Sequence, residues 1–147
     1  MMDQTAFRVV PMHVARNPVA RAVAMTRMRQ AVLDFQLRLH FLPYDQDVMG
    51  DVHAAMQVLT VCLFSLEAMG TADQPAANVM RGAQSALLRC AERKGKWRPA
   101  DAPAIDIGLQ YAVDTFKVLP ADVTARAWQR MHRIEREAGL YPQEAQS

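Results

Sequence analysis

Met25, Met28, Val32, Phe35, Leu39 and Leu42 recur at alternating steps of three and four residues, so they fall on one side of a helix. "RNP" precedes this run: Asn17 suits an N-cap, Pro18 the first helical position, and Pro43 stops the helix. Asp34 and Arg38, four apart, are placed to pair on its outer side. A second helix is predicted from Asp45 or Asp47 to Gly70. Its line Val48, Val52, Ala55, Leu59, Cys62, Leu66 and Met69 continues unbroken, and Met49, Met56 and Leu63 add a flanking row. Val58 and Val61 widen the apolar side almost to the full circumference, the mark of a helix buried at the centre.

Three more helices follow. One opens at "DQP", with Asp73 as cap and Pro75 in the first turn; Ala76, Met80, Ala83, Leu87 and Cys90 line it and Gly95 terminates it. Its small side chains invite close approach by a neighbour. The next starts within "DAPAID" and carries Ile105, Leu109, Ala112, Phe116 and Leu119, with Asp106, Gln110, Asp114 and Lys117 opposite. After a tight "LPAD" corner the last carries Val123, Ala127, Met131, Ile134 and Ala138, and Gly139 stops it. The expected fold is all-α: one domain over residues 1–147, a bundle of about five helices with the central one near 46–69. The head, residues 1–16, has no defined element, and the tail, 140–147, is expected to fray.

Composition agrees with a globular chain. Of 147 residues 51% are hydrophobic and 22% charged, and a chain of this length buries about 68–70% of its unfolded surface without covalent staples. No uninterrupted apolar run reaches the roughly 20 residues of a membrane span, and the first residues, lacking a hydrophobic block before a small-residue site, are not expected to act as a secretory signal. Cys62 and Cys90, the two cysteines, lie on apolar stripes and read as reduced core residues. Those features predict a cytoplasmic protein with no membrane partner. Fourteen arginines against three lysines, with abundant alanine, suggest a bacterial or phage genome rich in G and C, so arginine count alone says little about ligands. Charge comes in alternating blocks: net +4 over 1–33, −5 over 34–80, +5 over 81–98, −3 over 99–125 and +1 over 126–147. Such blocks suit helices lying side by side or a polarised surface.

Catalytic chemistry finds little support. His13, His40, His53 and His132 have no spacing of three or four that would build a zinc or di-iron ligand pair, so no metal is expected. Phosphate loops, dinucleotide fingerprints and nucleophile elbows are absent from the sequence, and no cofactor is predicted. Cys62 has no neighbouring charge to make a thiolate. The chain therefore reads as a non-enzyme.

Two binding classes remain. "CAERKGKWRP" gathers Arg89, Arg93, Lys94, Lys96 and Arg98 around Trp97, and cations about a stacking ring suit nucleic acid. Arg126, Arg130 and Arg133 line one side of the last helix, which after its short corner resembles in outline a recognition helix. Against this, cations at a helix C-terminus complement its dipole, and Trp97 can fold back on the core. Asp122 is also placed to pair with Arg126, and Glu137 with Arg133. The other class is protein association. Leu33, Leu37 and Phe41 form a second apolar row on the first helix, beside its main stripe, as a possible protein interface. Ten methionines suit an adaptable surface or an ordinary core. The expected function is a small helical regulator, adaptor or inhibitor that associates with itself, as a homodimer, or with a protein partner; nucleic-acid binding is the alternative.

Overall fold

A computed structural model describes residues 18–41 and 49–139, which form an all-α bundle. Its helices are α1 (Pro18–Phe41), α2 (Met49–Ala68), α3 (Pro75–Glu92), α4 (Ala102–Phe116) and α5 (Ala121–Glu137), with one 3-10 turn, Pro99–Asp101, before α4. The head, the tail, the caps expected at Asn17, Asp45 and Asp47, and the stripe residues Leu42 and Val48 lie outside the described residues.

Local chemistry accounts for the helix ends. Pro18 opens α1 and Pro75 opens α3, where a residue without an N–H loses nothing. The N-cap of α3 is Gln74 rather than Asp73, in extended backbone and without a side-chain cap. At the end of α2, Gly70 takes φ +73°, its N–H donates to Glu67 O at 3.0 Å, and the Thr71 N–H donates to Leu66 O at 2.9 Å. This Schellman pair satisfies two terminal carbonyls. The end of α3 uses the same device one residue out of register. Lys94 holds the left-handed position at φ 60°, while Gly95 follows it and donates to Cys90 O at 2.9 Å.

α4 lies along α3, α2 packs across both, α5 closes on α2, and α1 rests on α4. The centre is thus shared by α2 and α4. Met25, Met28, Val32, Phe35 and Leu39 of α1 are all buried, as their spacing predicts. So are Val52, Ala55, Leu59, Cys62 and Leu66 of α2, and Ile105, Leu109, Ala112 and Phe116 of α4 with Leu119 just beyond it. Met69, the last residue of the expected line, is exposed; in the flanking row Met49 is exposed and Met56 and Leu63 are half-buried, so that row is the rim of the core rather than its middle. α2 is long and apolar enough to cross a membrane by length and composition alone, and most of it is buried among the other helices.

α5 departs from its expected face. Thr124, Ala127, Trp128 and Met131 are buried, whereas Ile134 and Ala138 are exposed and Val123 is half-buried. The Thr124 hydroxyl donates to Ala121 O at 2.9 Å within the helix, so this polar residue needs no water. Trp128 supplies the largest apolar area on that face and turns the helix toward it.

Between α3 and α4 the backbones meet at small residues. A Cβ placed on Gly108 would stand 2.2 Å from the Ala83 Cβ and 3.3 Å from Val79 O. Neither neighbour is the end of a flexible side chain, so the two helices would have to separate. Gly108→Ala is therefore expected to destabilise the protein by about 1–3 kcal/mol despite alanine's better helix propensity. Gly82 of α3, next to Ala83 in the chain but exposed and with nothing within 4 Å of its Cβ position, is the control: Gly82→Ala should gain up to about 1 kcal/mol. Urea unfolding of both variants checks the pair, and a neutral Gly108→Ala would contradict the close crossing.

Candidate functional site

The basic segment is built around an acid. Asp101 ends the 3-10 turn with its side chain only 7% exposed. Arg93 Nη2 donates to its Oδ2, the Arg98 backbone N–H donates to the same oxygen at 3.3 Å, and Arg89 Nε stands 3.5 Å from Oδ1. Arg93 Nε also donates to Lys96 O at 2.9 Å. Two arginines from the end of α3 are thereby fastened to the start of α4, and the loop between them is drawn tight. Trp97, expected as a stacking ring, is only 4% exposed and belongs to the core. That corrects its assignment as a nucleic-acid contact, since a base needs access to the ring face. Lys94, Lys96 and Arg98 are exposed around it.

The arginines of α5 are divided in the same way. Arg126 Nη2 donates to Asp122 Oδ2 at 2.7 Å, the pair expected at four-residue spacing. The Arg126 guanidinium is also what holds the Asp122 carboxyl below its ordinary range. Arg130 reaches across to α2: its guanidinium lies over the Phe64 ring at 4.0 Å from the centroid, and Nη1 is 3.3 Å from Glu67 Oε2. Cation–π attraction and charge together fasten α5 to α2. Arg133 is exposed. Of the nine candidates, Trp97 is buried and Arg89, Arg93, Arg126 and Arg130 have acidic partners within the chain.

A groove of about 330 Å³ lies between α2 and α5, lined by Met49, Met56, Phe64, Met131 and Ile134 among others. One end is polar. Gln57 Nε2 donates to Glu135 Oε2 at 3.3 Å, and His53 Nε2 stands 3.9 Å from the same oxygen. The volume is at the small end for ligand cavities. This feature was not legible from the sequence because it depends on how α5 lies against α2.

The outer side of α1 carries four exposed large aliphatic side chains. Leu33 is 56% and Leu37 47% exposed, as their row predicts, and Val19 and Val23 continue the exposure toward the start of the helix. Phe41 is the last residue of α1, and its side chain lies outside the described residues. The pairing expected between Asp34 and Arg38 is replaced: Arg38 Nη1 lies 3.0 Å from Asp51 Oδ2 at the start of α2. Asp51 is buried, and this oxygen accepts no well-directed hydrogen bond, so proximity of charge is all that Arg38 supplies. Burial consequently prevails over Arg38, with a smaller push from Asp34, and lifts the Asp51 carboxyl to a pKa of about 6.

No cluster of three or more potential metal ligands occurs among the described residues. Both cysteines are buried thiols, and burial pushes Cys62 up to about 12, so it is not a nucleophile at neutral pH. No protein-family model, curated protein or solved structure matches the chain.

Asp51 carries a pH prediction. Its pKa is higher folded than unfolded, so the native state binds the proton more tightly and stability falls as pH rises from about 4 through 6. A shift from 3.8 to about 6 corresponds to about 3 kcal/mol. Asp51→Asn, which resembles the protonated side chain, is expected to improve relative to wild type by about 1–3 kcal/mol between pH 4 and pH 8. Urea unfolding at the two pH values measures it, and a pH-independent difference would show that Asp51 titrates normally.

Proposed function

We propose that the protein acts by non-catalytic association, with itself or with a protein partner, through the outer side of α1. What carries the reading is the exposure of Leu33 and Leu37, with Val23, on the side of α1 opposite its buried stripe. A row of large aliphatic side chains at helical spacing costs solvation in an isolated chain and gains it back under a partner. The buried residues of α1, together with Gln36 and Arg38, already attach it to the bundle: Gln36 Nε2 donates to Asp106 O of α4 at 3.0 Å, and Arg38 faces Asp51. The outer row is therefore not needed to hold α1 in place. Regulator, adaptor and inhibitor are the roles that such a module performs without chemistry of its own. Nucleic acid is the weaker alternative, because Arg89, Arg93, Arg126 and Arg130 have internal partners and Trp97, the ring among Lys94, Lys96 and Arg98, is buried.

Light scattering over a wide concentration range, with circular dichroism in parallel, tests the reading. The wild-type chain is expected to exceed its monomer mass, or to do so with its partner. Leu37→Glu should abolish the complex and leave helical content nearly unchanged, because a charge on an exposed position costs folding little. Global unfolding of Leu37→Glu would mean that the row is core, and an unaltered complex would mean that association uses another surface.

A further inference from the structure

The outer side of α1 has a regular order that the pair Leu33 and Leu37 does not show alone. Val23, Thr26, Gln30, Leu33 and Leu37 follow one another at steps of three, four, three and four, and every one is exposed. Met25, Met28, Val32, Phe35 and Leu39 are buried on the other side. A spacing of three and a half residues is the seam of a two-stranded coiled coil, with Val23, Gln30 and Leu37 in one set of core positions and Thr26 and Leu33 in the other. Arg29 and Asp34, both exposed, flank the seam on opposite sides, five residues apart. Five is the separation at which flanking residues of two parallel, in-register strands meet.

We infer that the partner of this surface is a second copy of the chain, with α1 packed parallel and in register against α1 of the other copy about a two-fold axis along the helices. The inference rests on the association reading above and names its occupant. Charge complementarity decides the orientation. In the parallel arrangement Arg29 of each copy meets Asp34 of the other, giving two opposite-charge pairs. Gln30 faces its own equivalent, where two side-chain amides can each donate and accept, and Leu33 and Leu37 face theirs. One antiparallel arrangement sets Val23 against Leu33, but brings Arg27 close to Arg27 and Arg29 close to Arg29 beside the axis. The other sets Arg27 near Asp34, but places Gln30 against Leu33 and Thr26 against Leu37, so that polar groups are buried on apolar ones. Only the parallel register matches both charge and polarity. The seam is short, yet its helix is already formed within the bundle, so dimerisation carries no cost of nucleating α1. Arg29 also lies near enough to Asp114 of α4 to act weakly on its carboxyl.

Disulfide trapping tests the register. In the full chain the native cysteines Cys62 and Cys90 are buried and provide a quiet background. Val23→Cys and Leu37→Cys, at the two ends of the seam, are each expected to crosslink to their own kind under mild oxidation. In either antiparallel arrangement two copies of position 23, or of position 37, lie at least ten residues apart along the axis, roughly 15 Å or more and beyond disulfide reach. Crosslinking of Val23→Cys only to Leu33→Cys, or of Leu37→Cys only to Thr26→Cys, would overturn the parallel register. A charge exchange provides a second arm, read by sedimentation equilibrium. Arg29→Asp should weaken the dimer about tenfold by setting it against Asp34 of the other copy, and Arg29→Asp combined with Asp34→Arg should restore it. Failure of the exchange to restore affinity would overturn the pairing. A complex that is lost in Leu37→Glu, yet traps at neither position, refutes this register and leaves the association reading standing. Association that survives Leu37→Glu refutes the association reading as well.

Discussion

The bundle depends on how closely α3 and α4 approach each other. Ala83 and Gly108 remove side-chain bulk at one point of contact, and the backbones come together there to a distance that one added methyl group would not allow. The rest of the upper architecture follows from this crossing. With α3 and α4 side by side, the end of one helix stands next to the start of the other, and Asp101 lies within reach of Arg89 and Arg93. In the loop between them Trp97 turns into the core and Lys94 takes a left-handed backbone. A segment that reads as a basic grip is therefore the clasp of a helical hairpin. Burial of Asp101 matters to this outcome: a carboxylate withdrawn from water holds cations more strongly than one at the surface, where water and salt compete.

The other helices attach to this hairpin by mixed apolar and polar means. α2 covers it with an almost wholly apolar face, and Gln84 Nε2 donates to Thr60 Oγ1 at 3.2 Å across the contact. α5 is held to α2 by Trp128 and Met131 in the core and by Arg130 on Phe64 and Glu67 at the edge. α1 has the lightest fastening. It rests on α4 along one stripe, is tied through Gln36, and meets α2 through an ion pair that burial makes costly. A helix attached along one side, with Val23, Leu33 and Leu37 exposed along the other, is the surface proposed to meet a partner.

Helix positions and most of the core were legible in the sequence because they depend on local periodicity. The lines in α1, α2 and α4 are buried almost residue for residue. What escaped was decided by neighbours in space. Thr124 reads as surface because it is polar, yet its hydroxyl is satisfied inside its own helix, which frees α5 to rotate toward Trp128. Gly108 reads as a weak point in α4 until Ala83 is seen opposite it. The acid that gathers the basic segment lies past Pro99, outside the run of cations that drew attention to Trp97. The exposed row at Leu33 and Leu37 was readable, since two apolar lines on one helix cannot both face one neighbour. Its extension through Val23, Thr26 and Gln30 was not, because two of those residues are polar and only their shared exposure puts them on the same line.

The central claim is that the interior is closed and that the outer line of α1 is the working surface. Methyl NMR of the full chain as a function of protein concentration tests it most directly, because it reports each position separately. The account predicts that methyl signals of Val23, Leu33 and Leu37 move together as the protein is concentrated, while those of Leu87 and Leu109, fully buried between α3 and α4, stay fixed. Signals of α1 that do not respond to concentration, or that move only together with Leu87 and Leu109, would contradict it.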